Sequence, residues 1–138
     1  MTFRPAYHLF CLAFLLNAPV VAAAQNTYQC VISELLQLGD DGALRRPPDP
    51  WLVGKRFAVD RNTGTLLGPE TSFWSFTDSR PTILARGNES NSFVVALVSD
   101  AAGNGVHATK IVVNEFKSGP IKPFVVLTGS QVASGTCQ

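Results

Sequence analysis

Cys30 and Cys137 stand near opposite ends of the part of the chain that follows its first two dozen residues. An even cysteine pair in an exported domain reads as a disulfide. A disulfide holds its two Cα atoms within about 7 Å. The first and last segments of the fold should therefore be spatial neighbours; two free thiols are the rival reading. The third cysteine, Cys11, belongs to a different part of the chain.

Residues 1–24 have the three-part layout of a cleavable secretory signal peptide. Arg4 supplies the positive charge, and Leu9 to Leu16 form an apolar run that Asn17 and Pro19 break. Ala22 and Ala24 are the small residues a signal peptidase reads. The run is far short of the roughly 20 residues a spanning helix needs, and no later stretch reaches that length. Phe10 is too bulky for the residue before the cysteine of a lipoprotein signal. Removing residues 1–24 takes away Arg4, His8 and Cys11 and leaves residues 25–138, one domain by size. The expected location is a bacterial periplasm or the outside of the cell. Lys and Arg then number ten against ten Asp and Glu. That balance gives no reason to expect nucleic acid or an anionic membrane as partner.

Turn signals cut residues 25–138 into short runs rich in β-branched and aromatic residues. Tyr28 to Leu38 comes first: Val31 and Ile32 favour a strand, while Leu35, Leu36 and Leu38 also suit a short helix. Pro47, Pro48 and Pro50 have no N–H to donate, so residues 45–50 form an extended loop. Trp51 to Asp60 resumes as a strand. Arg61-Asn62-Thr63-Gly64 turns it, with glycine where φ > 0 is needed, and Thr65 to Leu67 returns. Ser72 to Phe76 is a short aromatic strand, and Thr82 to Arg86 follows Pro81. Ser92 to Val98 is the most apolar run and the expected central strand. Val106 to Lys117 alternates over its whole length, and Phe124 to Thr128 and Val132 to Cys137 complete the set. About eight strands with short links and no long helix describe an all-β antiparallel meander. A meander tied end to end by Cys30–Cys137 becomes a closed or partly closed barrel, which also removes exposed edges. An open sandwich is the other solution.

Catalytic equipment is sparse. His107 is the one histidine after residue 24, and no Gly-x-Ser-x-Gly elbow accompanies it. One histidine and two cysteines bonded to each other do not fill a tetrahedral zinc site, so no metal or cofactor is expected. Gly103-Asn104-Gly105-Val106-His107-Ala108 has the letters G-x-G-x-x-A. The β-branched run Lys110 to Val113 follows it, where a dinucleotide site needs a helix N-terminus. A glycine-rich turn is the better reading. Asp60 to Gly64 opens like a calcium loop, yet position twelve is Thr71 where glutamate is needed, and Arg61 adds a positive charge. Glu34, Asp60, Asp78, Asp100 and Glu115 supply carboxylates, and their spacing pairs none of them. Asn88-Glu89-Ser90 matches a glycosylation acceptor.

Trp51, Phe73, Trp74 and Phe76 surround the proline-rich loop and the aromatic strand, with Arg45, Arg46 and Arg80 near them in sequence. Tryptophan and arginine are favoured at binding hot spots. Trp51, Trp74, Arg45, Arg46 and Arg80 are therefore the candidate binding residues, although the tryptophans also suit a core or a plug at one barrel end. At the ends, Tyr28-Gln29-Cys30 and Thr136-Cys137 give a layout that resembles small exported bacterial β-barrel proteins, among them the periplasmic lysozyme inhibitors. The resemblance covers the two ends only. The inhibitors' inner Ser-x-Ser-Gly segment before a tyrosine is not found, and no functional residue is carried over. The expectation is an exported, non-enzymatic binding module for a protein partner in the periplasm or extracellular space. A lipocalin-like carrier of a small apolar ligand is the second reading. A small hydrolase using His107 or the scattered carboxylates is the third.

Overall fold

A computed structural model describes residues 26–68, 80–100 and 106–138. Residues 1–24, the Ser72 to Phe76 run with Trp74, Asp78, and Gly103 to Gly105 lie outside the described residues. The elements are β1 (Thr27–Leu38), β2 (Leu44–Arg45), β3 (Arg56–Asp60), β4 (Leu66–Leu67), β5 (Arg80–Asn88), β6 (Asn91–Asp100), β7 (Val106–Val113), β8 (Lys122–Thr128) and β9 (Gln131–Cys137). Every pairing is antiparallel. Eight strands follow the order β4-β3-β1-β9-β8-β7-β6-β5, with β2 paired to β1 off this path, and they curl into a half-barrel.

That order is a meander read around a circle. Among the described strands most neighbours in sequence are neighbours in the sheet, β2 with β3 and β4 with β5 excepted, and the first strand is paired with the last. The disulfide sets this closure. Gln29 and Gln138 exchange both backbone hydrogen bonds, at 2.8 and 3.0 Å. Cys30 and Cys137, one residue further in, are thus a non-hydrogen-bonded pair, where antiparallel backbones come closest. Their Cα atoms are 4.0 Å apart and their sulfurs are bonded.

Alternation explains which side of each strand is buried. Tyr28, Cys30 and Ile32 of β1 face inward. At Ser33 the register with β9 slips by one residue, so Ile32 pairs with Gly135 and Glu34 with Ser134. The bulge places Leu35 in the core in place of Glu34. This resolves the ambiguity of the Leu35-Leu36 stretch: the break in alternation is a bulge in a strand. From the other strands Phe57, Val59, Phe93, Val95, Leu97, Ile111, Val113, Phe124, Val126 and Ala133 complete a single core. Phe57 meets Phe124 edge-on at 5.3 Å between centroids, and Tyr28 meets Phe93 at 5.2 Å. Among the described residues the concave face is filled by these side chains.

Three expected strand assignments need correction. Trp51 to Asp60 is not one strand: residues 51–54 form a turn and β3 begins at Arg56. Gly54 has φ 84°, and its N–H donates to the Ile32 carbonyl at 2.8 Å while Leu52 drops into the core. Such a backbone cannot stay extended. Val106 to Lys117 ends as a strand at Val113, because Glu115 N–H turns back to the Val113 carbonyl at 2.9 Å. Ser92 to Val98 lies in β6, one strand in from the β5 edge, and β9 and β8 hold the middle. The outward Val94, Ala96 and Val98 that make this run so apolar stay half-buried or exposed.

Candidate binding surface

The loop system between β1 and β3 is built from two fixed points. The first is the β1–β2 hairpin, where Gln37 pairs with Arg45 and Leu38 with Leu44. Gly42, at φ 78°, makes the tight turn, and Gly39 N–H bonds the Ala43 carbonyl at 2.9 Å. The second is Leu52, fully buried. Between them the chain passes Arg46, Pro47, Pro48 and Pro50, which offer few backbone donors to any sheet. Val53 N–H then closes a turn onto the Pro50 carbonyl at 2.9 Å.

An open groove of about 330 Å³ runs along this loop, lined by Leu38, Asp40, Arg45, Arg46, Pro47 and Pro48 among others. Arg45 grips Asp41 with both terminal guanidinium nitrogens. That pairing, helped by the Ala43 N–H, holds the Asp41 carboxyl below its usual range. Arg46 pairs with Glu34 on β1 at 2.8 Å. Both arginines are well exposed, so these pairs orient the guanidinium groups more than they stabilise the fold. Leu38, Leu44, Trp51 and Val53 are exposed on the same loop system. Trp51 is 37% exposed, whereas its neighbour Leu52 is 0% exposed. The surface reading therefore holds for Trp51, and leucine takes the core position.

The other candidates are not brought together with these. Arg80 starts β5, at the far end of the strand order from β1 and β2. Trp74 lies outside the described residues. His107 is exposed at the start of β7, opposite Ser99 of β6. Of the acidic residues, Glu34 serves Arg46, and Asp60 caps its own turn. The Asp60 carboxylate accepts from the Thr63 N–H at 2.7 Å, the Thr63 hydroxyl at 2.9 Å and the Asn62 N–H at 2.9 Å. These bonds hold the Asp60 carboxyl below its usual range, and with Gly64 at φ 75° they make the calcium-like segment a hairpin turn.

The residues read separately in the sequence that do meet are Tyr28, Arg61 and Glu115. The Tyr28 hydroxyl donates to the Glu115 carboxylate. Arg61 reaches the same oxygen at 3.1 Å and lies over the Tyr28 ring at 4.9 Å from its centroid. Burial, then the bond to Glu115, push the Tyr28 phenol well above its ordinary value, while the Arg61 charge pulls the other way. An inward tyrosine next to Cys30 signals a need for a polar partner. Nothing in the spacing says that the partner lies 87 residues away. No helix among the described residues is long and apolar enough to cross a membrane. Comparison with protein-family models, curated proteins and solved structures finds no match for this chain.

Proposed function

We propose that this chain is an exported, non-enzymatic binding module whose partner is a protein in the periplasm or outside the cell. One observation carries the reading. Trp51, Leu38, Leu44 and Val53 are exposed on the loop system that also holds Arg45 and Arg46 in fixed orientations beside an open groove. Exposed aromatic and aliphatic anchors framed by oriented arginines have the composition of a protein-binding hot spot. The groove's shape suits an extended segment of a partner better than an enclosed small molecule. Export is supported by the signal-like residues 1–24 and agrees with a disulfide, which persists in oxidising compartments.

The test compares immobilised protein lacking residues 1–24 with a variant carrying Trp51→Ser and Arg46→Ser. Both are exposed to the envelope and secreted fractions of the native host. A partner retained by the parent should be lost at least about tenfold in the variant, since two hot-spot truncations cost about 2 kcal/mol or more. Equal retention by both proteins, at matched thermal stability, would remove this face from the proposal.

A further inference from the structure

From β6 to β1 the outward face of the sheet is largely apolar. Val95, Ile111, Val126, Ala133 and Leu35 are buried in the core, so the residues flanking them along each strand point out. The registers line these outward residues into two rows. One row runs Val94, Val112, Val125, Ser134, Glu34, and the next runs Ala96, Lys110, Leu127, Val132, Leu36. An antiparallel sheet with one face on its core commonly presents polar residues on the other. Here each row carries a single charge. Lys110 is exposed, and its outward neighbours are Ala96 and Leu127 across the strands and Ala108 and Val112 along its own. Among the described residues it makes no ion pair. Glu34 accepts from Arg46 through Oε1 at 2.8 Å, which leaves Oε2 for a second cation. Lys110 does not reach it within one chain, because β8 and β9 lie between them and three strand spacings span about 14 Å.

We propose that this face binds a second copy of the chain, with Lys110 of each copy on Glu34 of the other. A two-fold axis lying in the interface between β8 and β9 makes both pairs at once, since an isologous contact repeats every pairing. The same axis sets Val125, Leu127 and Val132 against their counterparts. Opposite charges at the two ends of an apolar strip fix one register of the two copies. The sheet curls, so the strip from β7 to β1 is the part that touches, and the dimer is a small and weak one.

Sedimentation equilibrium of the oxidised protein lacking residues 1–24, which keeps every described strand, tests this between about 1 μM and about 1 mM. The parent should dimerise within that range. Lys110→Glu and Glu34→Lys should each weaken the dimer at least about tenfold, because each sets like charges face to face at both pairs. Mixing the two variants should restore most of the parental affinity, since every crossed pair is then again of opposite sign. A misfolded variant would gain nothing from mixing, so the mixture also controls for folding. A parent that stays monomeric would overturn the proposal and leave the face to another occupant, such as another part of this chain. Unchanged dimerisation in either variant, or a mixture no stronger than its components, would overturn it too, because Lys110 and Glu34 would then not face each other.

Discussion

Gly64 answers two demands at once. Its φ of 75° is disfavoured for other residues, and Val95 occupies the space a Cβ would take. Gly64→Ala should therefore destabilise the protein by about 2–4 kcal/mol, the sum of the backbone and overpacking costs. Urea unfolding measures it, and a loss under about 1 kcal/mol would mean that the turn is not pressed against β6. The turn was legible in the sequence because Asp60-Arg61-Asn62-Thr63-Gly64 carries its own local hydrogen-bond logic. Its packing on Val95 was not, because that contact depends on how far the sheet curls. Tyr28 makes a second case. Its phenol ionises at higher pH in the folded than in the unfolded chain. Its contribution to stability should hold steady below about pH 10 and fall as the pH climbs toward the folded value, since the unfolded state loses its proton first. Tyr28→Phe should abolish that alkaline decline. Tyr7 is the other tyrosine, so phenolate absorbance of protein lacking residues 1–24 reports Tyr28 by itself.

Strands were legible wherever alternation stayed local. β5 through β9 lie within a few residues of the runs that apolar and turn residues mark. Elements failed to announce themselves where tertiary contacts override the local pattern. Leu52 is drawn into the core and turns residues 51–54 out of a strand. Glu115 leaves β7 early and ends on Tyr28 and Arg61. The candidate surface divides in the same way. Arg45, Arg46 and the prolines declare a loop, and Trp51 joins it on the exposed side. Arg80 was included only because it is near in sequence, and the sheet carries it to another edge. At the β1 bulge β1 and β9 fit together only because residue 135 is glycine. A Cβ there would meet the Val31 carbonyl oxygen at 2.0 Å and the Ser33 nitrogen at 3.0 Å. Gly135→Ala should cost at least about 2 kcal/mol, and it should disturb β1 and β9 before the β5–β6 hairpin. Residue-resolved exchange of the variant checks the order. Uniform behaviour across both regions would show that the bulge is not a local constraint.

On the scale of the whole molecule, Cys30 and Cys137 were the clearest guide, because two residues far apart in sequence declared one contact. With a sequence separation of 107, the bond removes much of the freedom of the unfolded chain. Reducing it should lower stability by about 4–5 kcal/mol in the chain-entropy account. Denaturant titrations of oxidised and reduced protein measure the difference; a gap under about 1 kcal/mol would show that the β1–β9 ladder suffices without it. That β4 and β5 end the strand order among the described residues was not legible, since the turn signals alone do not say where a meander stops pairing. The place of β9 has a consequence for how such a chain comes to be folded. β9 alone joins the β4-β3-β1 group to the β8-β7-β6-β5 group in the ladder. A polypeptide emerging N-terminus first makes two sheet fragments before the segment that unites them exists. Until then the edges of β1 and β8 stand unpaired, each an invitation to a neighbouring chain. Aggregation risk in this protein is therefore concentrated in the interval before its last strand arrives.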